Sequence, residues 1–183
     1  LIEIVNSCNL SCPTCYANSP LGVRGKVDAV ALENIKERIT GVLSRKGGIE
    51  ILQLSGGEPT IHPQFFELLD WIADERRIDY VLINTNGVLL ARDEEFVSEL
   101  AARVRRGHMQ AYLQYDGPQA EGHHELRGAD LRALKAQAVR NAQRIGLPLT
   151  LAMTVTEKNL GSLWQSIEWG LSFEHIRGIS FQP

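Results

Sequence analysis

Cysteine is scarce in this chain, with three residues in 183. All three stand in one short stretch, Cys8, Cys12 and Cys15. An odd number of cysteines confined to one loop excludes the disulfide framework of a small secreted domain, and the cytoplasm is the expected compartment. Long apolar runs are missing too. None reaches the roughly 20 residues that a membrane-spanning helix needs, and there is no signal-peptide pattern. Positive charge is not in excess: 19 Lys and Arg stand against 22 Asp and Glu, for a net charge of -3 and a pI near 6.0. That balance leaves no electrostatic footprint for nucleic acid. The basic run Arg103-Val104-Arg105-Arg106 falls where a helix is expected to end, where cations complement the helix dipole. It is read as a solvated helix end. No residue-level repeat is visible.

What is present is a composition of 44% hydrophobic and 22% charged residues, ordinary for a globular domain with a sizeable core. Short β-branched runs at residues 1–5, 49–54, 80–83, 109–113, 148–155 and 179–181 read as strands. Between them, apolar residues recur at helical spacing: Leu32, Ile35, Ile39 and Leu43; Phe65, Phe66, Leu69 and Ile72; Phe96, Val97 and Leu100; Leu131, Leu134, Ala138 and Ala142; Leu160, Leu163, Trp164 and Ile167. Asp28 and Asp93 resemble N-caps, and Gly47, Gly107 and Gly146 mark helix ends. Pro13, Asn18, Pro20, Gly22 and Gly25 keep the chain irregular after the first strand, and the stretch around His123, His124 and Glu125 reads as a loop. This alternation implies parallel strands with right-handed crossovers. Six units are fewer than the eight of a closed TIM barrel, so a doubly wound sheet stays open as an alternative to a partial barrel. The chain starts at Leu1 inside an apolar run and stops just after another, so residues 1–183 are read as one domain cut from a longer protein.

The chemistry concentrates at the strand ends. Thiolates prefer soft metals and iron–sulfur clusters to hard cations. Cysteines separated by three and two residues can reach three corners of a cubane cluster and leave one iron without a protein ligand. An open metal position is where catalytic metal sites bind substrate. A zinc knuckle completed by His62, and a disulfide plus one free thiol, are the alternatives. Parallel α/β folds place their chemistry at the carboxyl ends of strands. Here those ends carry Ser55-Gly56-Gly57-Glu58, Asn84-Thr85-Asn86, Gln114 with Asp116, Thr154 with Thr156, and Gln182. Asn-Gly and Asp-Gly also make ordinary turns, yet six polar ends on one rim suggest a single site. Arg127 suits a carboxylate or phosphate partner, because its guanidinium binds both in bidentate fashion.

Cys8-x3-Cys12-x2-Cys15 followed by Gly56-Gly57-Glu58-Pro59 directly after the second strand resembles the radical S-adenosylmethionine (SAM) superfamily. The resemblance covers nearly the whole chain and implies a partial (β/α)6 TIM-like barrel. It implies a [4Fe–4S] cluster on Cys8, Cys12 and Cys15, with SAM chelating the fourth iron. Gly56, Gly57 and Glu58 would receive the methionyl ammonium, and Thr85 and Asn86 would lie near the SAM carboxylate. Gln114 and Asp116 would meet the ribose or the carboxylate, and Thr154 would border the adenine. Two features depart from the family pattern: Thr14 stands where an aromatic often precedes the third cysteine, leaving Tyr16 as the candidate, and the fifth strand lacks a glycine-rich adenine motif. The implied activity is reductive cleavage of SAM to methionine and a 5′-deoxyadenosyl radical, which takes hydrogen from a C–H bond. A small-molecule or lipid-like substrate and an electron donor such as flavodoxin or ferredoxin are the implied partners. Tyr112 to Gly117, Leu126-Arg127-Gly128 and Arg177 to Pro183 resemble the branch of archaeal tetraether lipid synthases and pterin-pathway methylases, which forms carbon–carbon bonds. A zinc-stabilised binding module, or a scaffold of this fold without catalysis, are the competing readings.

Overall fold

The structure, a computed structural model, describes residues 1–21 and 26–183; Gly22 and Gly25, expected to keep the cysteine loop irregular, lie outside the described residues. Six strands form one sheet: β1 (Ile2–Val5), β2 (Ile49–Gly56), β3 (Ile78–Thr85), β4 (Met109–Gln114), β5 (Leu149–Thr154) and β6 (Ile176–Gln182). Every neighbouring pair is parallel, and the order in the sheet follows the order in the chain. A doubly wound sheet would reverse its strand order at a switch point. There is no reversal here. The chain winds one way, as a barrel does, and six strands make the partial (β/α)6 barrel.

Seven helices accompany the strands among the described residues: α1 (Leu32–Lys46), α2 (Phe65–Asp74), α3 (Val88–Arg92), α4 (Glu94–Val104), α5 (Ala120–Arg127), α6 (Arg132–Ile145) and α7 (Leu163–Leu171). Alternation along the strands decides what lies where. In β4, Met109, Ala111 and Leu113 are buried, while Gln110, Tyr112 and Gln114 are only half-buried. The first set joins Leu54, Ile83, Leu149 and Leu151 in a core with Ile35, Leu43, Val97 and Val139 of the helices. Each such leucine contributes roughly 2 kcal/mol through burial. The second set faces inward with polar partners: Gln53 donates to Asn84 at 2.8 Å, and Gln182 to the Tyr112 hydroxyl at 3.3 Å. One strand face is dry and the other is hydrogen-bonding.

Several local expectations change. Asp93 caps α4 by accepting from the Phe96 N–H at 2.9 Å. Asp28 does not cap α1, which starts at Leu32; its carboxylate accepts from the Asn6 side chain at 2.9 Å and ties the end of the loop to β1. The His123 stretch is a helix, closed by Gly128 in the left-handed region. The basic run is not simply solvated: Arg103 reaches Asp70 at 2.6 Å and lies over the Phe66 ring, and Arg106 reaches Asp74 at 2.7 Å. Trp164, expected in the core, is largely exposed, whereas Trp169 stacks on Tyr115 at 4.6 Å. Among the described residues no helix is long and apolar enough to cross a membrane.

Candidate active site at the carboxyl ends of the strands

After β1 the chain enters the cysteine loop, whose limbs are tied together: Asn6 N–H donates to the Asp28 carbonyl at 2.8 Å and Cys8 N–H to that of Pro20 at 3.0 Å. A turn then brings Cys15 N–H to the Cys12 carbonyl at 3.2 Å. Thr14, at the position where the family often has an aromatic, lines the pocket, and its hydroxyl donates to the Leu126 carbonyl at 3.1 Å and docks the loop on α5. Cys8 is buried and its sulfur accepts from the Leu10 N–H at 3.4 Å and the Asn86 amide at 3.6 Å. Burial pushes the Cys8 thiol up, against those two donors. At Cys15 burial also raises the thiol, but the N–H groups and hydroxyl of residues 17–19 outweigh it and bring it down.

Gly56 and Gly57 are set by a close crossing of two backbone segments. Gly56 sits at φ 140°, and a Cβ there would overlap the Val5 carbonyl oxygen; one on Gly57 would overlap the Ser7 carbonyl. The loop backbone itself passes this close, because Gly57 N–H donates to Val5 O at 2.9 Å and Glu58 N–H to Ser7 O at 3.0 Å. Only glycine leaves room for that crossing. Both glycines still line the pocket.

Glu58 is 1% exposed and its carboxylate is surrounded by donors. Oε1 accepts from the Thr60 hydroxyl at 2.6 Å and the Thr85 hydroxyl at 2.7 Å, and Oε2 from the Asn86 N–H at 2.7 Å. Burial raises its pKa, opposed by these donors. Asn86 in turn donates to Asn9 at 2.7 Å, so the end of β3 grips the cysteine loop.

Across the rim, Asp116 is 0% exposed with a positive φ of 66°. Arg127 of α5 holds it in bidentate fashion at 2.7 and 2.9 Å, Gln114 donates to it, and the Thr154 N–H lies 3.4 Å away. Asp116 is therefore engaged within the protein, and the group that reaches the pocket from this pair is Arg127. Thr154 also lines the pocket, and its hydroxyl lies 3.5 Å from Arg127. Tyr16 is 86% exposed at the mouth.

Two buried side chains escaped the sequence reading. Asn159, 1% exposed, donates to the Thr154 carbonyl at 2.8 Å and braces the end of β5. Lys135 of α6 is 0% exposed and donates to the Asn86 carbonyl at 2.6 Å and to the Gln114 carboxamide oxygen at 3.1 Å. Burial lowers its pKa to about 8. A signal existed: position 135 falls on the same helical stripe as Leu131, Ala138 and Ala142, and a lysine there interrupts an apolar face.

One pocket of about 470 Å³ collects Cys8, Cys12, Cys15, Tyr16, Gly56, Gly57, Glu58, Thr85, Asn86, Gln114, Arg127 and Thr154. His123, His124 and Glu125 do not line it: His123 is buried against the Gly117 carbonyl at 2.9 Å, and Glu125 accepts from Thr156 at 2.6 Å. The zinc knuckle loses its fourth ligand. His62 has both ring nitrogens in use, one with the Val30 carbonyl at 2.9 Å and one with the Gln64 N–H at 3.0 Å. Among the described residues no three His, Cys, Asp or Glu side chains gather as ligands of a single metal ion. Three soft thiolates on one pocket wall, with N–H donors at Cys8, fit an iron–sulfur cluster, whose potential such donors help to set.

Residues 2–170 match the radical SAM superfamily. The chain belongs to that superfamily. It is 29% identical over 187 residues to a 7,8-dihydro-6-hydroxymethylpterin dimethyltransferase of Methanocaldococcus jannaschii, covering 100% of this chain and 35% of that protein. It is also 32% identical over 163 residues to a PqqA peptide cyclase of Streptomyces rochei, covering 87% of this chain and 41% of the relative. Among solved structures, Streptococcus suis SuiB bound to S-adenosylmethionine superposes with a TM-score of 0.75 at 17% identity, over 98% of this chain and 37% of that one. That likeness shows the fold. The chain spans well under half the length of these relatives.

Proposed function

We propose that this chain is the catalytic core of a radical SAM enzyme, binding a [4Fe–4S] cluster through Cys8, Cys12 and Cys15 and SAM in the adjoining pocket. The observation that carries this reading is the convergence of the three cysteines and five strand ends, those of β2 to β6, on one cavity of about 470 Å³. Held by Cys8, Cys12 and Cys15, a reduced cluster would supply the electron for reductive cleavage of SAM, the chemistry that would open a substrate C–H bond to hydrogen abstraction. The protein's part is positioning and exclusion of side reactions. The backbone at Gly56 and Gly57 borders the seat of the methionyl ammonium, with Glu58 fixing the rim from behind. Arg127 offers its guanidinium to the SAM carboxylate, with Asn86 and Thr85 beside it. Gln114 is the candidate partner of the ribose, and Tyr16 and Thr154 flank the adenine. Asp116 acts by orienting Arg127 rather than by touching ribose.

The likeness to the pterin dimethyltransferase over the whole chain supports a transferase reading, with methylation or carbon–carbon bond formation as the outcome. Its substrate would be a small organic molecule, with a lipid-like chain as the alternative outcome, and a flavodoxin or ferredoxin in the reducing cytoplasm would supply the electron. The test is anaerobic purification of the full-length protein with assays of iron, sulfide and SAM cleavage. The expected result is about four irons per core and release of 5′-deoxyadenosine, both abolished by Cys12→Ala. A colourless, zinc-loaded protein would sink the reading, and an iron–sulfur protein that never cleaves SAM would leave a scaffold.

A further inference from the structure

A buried ammonium is expensive, and α6 had an apolar alternative. Lys135 lies on the stripe of Leu131, Leu134, Ala138 and Ala142, all in or against the core, where a leucine or methionine would avoid the desolvation cost. Its two acceptors belong to different strands: the Asn86 carbonyl at the end of β3 and the Gln114 carboxamide oxygen at the end of β4. Lys135 itself does not line the pocket. Asp116, Arg127, Glu58 and Cys12, from four separate segments around the rim, all bear electrostatically on its ammonium.

These bonds form a continuous belt. Glu58 accepts from Asn86 N–H; the Asn86 carbonyl accepts from Lys135; Lys135 donates to Gln114; Gln114 donates to Asp116; Asp116 accepts from Arg127, which reaches Thr154. A carboxamide can present either its oxygen or its NH₂ to a neighbour. Lys135 is a donor only, so it selects the oxygen of Gln114 and turns the NH₂ toward Asp116. Without the ammonium, Gln114 keeps its NH₂ on Asp116 but its oxygen loses its donor, so the side chain is held at one end only.

We propose that Lys135 is a positioning residue for SAM: by fixing Asn86 and the orientation of Gln114 from beneath the rim, it holds the Asp116–Arg127 pair in the geometry that receives the ligand. The inference rests on the reading of this pocket as the SAM site. It assigns the lysine no contact with SAM and no part in holding the cluster.

The experiment uses the full-length, cluster-loaded protein and SAM itself as the probe, with Lys135→Met, Lys135→Gln, Gln114→Met and the double variant K135M/Q114M. Equilibrium SAM binding, iron content, the cluster's absorption spectrum and the thermal midpoint are measured on each. The expected result is SAM binding weakened about tenfold or more in K135M, with iron content and spectrum unchanged and a thermal midpoint no lower than wild type. The double variant should lose less SAM affinity than the two single losses combined, because both changes break the Lys135–Gln114 link and only K135M also releases Asn86. Wild-type SAM affinity in K135M overturns the proposal. So does loss of fold or cluster in both K135M and K135Q, which makes the lysine a structural support, and so do fully additive effects of K135M and Q114M. If the wild-type protein holds its cluster and does not bind SAM, the reading of the pocket fails, independently of the lysine.

Discussion

On the β2–β3 side of the rim, the buried carboxylate of Glu58 meets only neutral donors, from Thr60, Thr85 and the Asn86 backbone. On the β4–β5 side, the buried carboxylate of Asp116 meets the guanidinium of Arg127. The first arrangement leaves nothing to spare. Its donors belong to the strand ends and the adjoining 3₁₀ turn, so Glu58 acts as a strut between β2 and β3. The second leaves a partly exposed cation with donor capacity beyond Asp116, since a guanidinium carries five N–H donors. A carboxylate arriving in the pocket can bind on that side without displacing the buried one. The comparison thus separates a half of the site that sets shape from a half that offers charge.

The largest effect belongs to the shape-setting half. A methyl group at Gly57 overlaps the Ser7 carbonyl and the Asn6 carbonyl oxygen, both backbone and neither able to rotate away. Gly57→Ala should destabilise the protein by more than about 4 kcal/mol and prevent cluster retention, measured by urea unfolding and iron content. A G57A protein as stable as wild type would break the claim that this glycine exists for the crossing of β2 and the cysteine loop.

Next comes the contrast itself. Asp116→Ala leaves Arg127 without its partner, and removing one member of a buried ion pair costs roughly 3 kcal/mol or more. Glu58→Gln keeps the shape and reverses the polarity of one bonding position, which costs about 1–3 kcal/mol for the group left mismatched. Urea midpoints for the two variants test the order, and SAM binding should fall further in D116A than in E58Q. A larger loss in E58Q on both measures would invert the assignment of shape and charge.

The fold was legible because its signal is local: alternation within strands, helical stripes between them, and polar residues at successive strand ends. Glu58 and Asn86 stand within two residues of a strand end, and the cysteines drew attention by their spacing in the loop after β1. What the sequence hid depends on pairing across distance. Nothing near Asp116 announces that a residue eleven positions on, Arg127, will fill its carboxylate. Ala120 to Arg127 has a glycine and two histidines and no side-chain cap, so local preference gave a loop; burial of His123 and Leu126 makes it a helix. Asp28 looked like a cap, but it found Asn6 across the loop. Lys135 was visible as an oddity in an apolar stripe, but its meaning needed both strand ends that it joins.

The last effect concerns the lysine that joins the two halves, and its sign follows from linkage. Its pKa falls from 10.5 to about 8 on folding, chiefly through burial. Below about 8 the lysine is protonated in both states and the full cost of burying the charge is present; above 10.5 it is neutral in both and that cost is gone. Between those values the unfolded chain binds more protons than the folded one, so this group makes stability rise with pH, at up to about 1.4 kcal/mol per pH unit. Wild type should therefore gain on K135M between about pH 8 and 10, read as the difference in urea unfolding free energy. Taking the difference cancels groups common to both proteins, the cysteines included. Parallel pH profiles would mean that the ammonium is not buried as a charge, and the two halves of the rim would then be joined by packing alone.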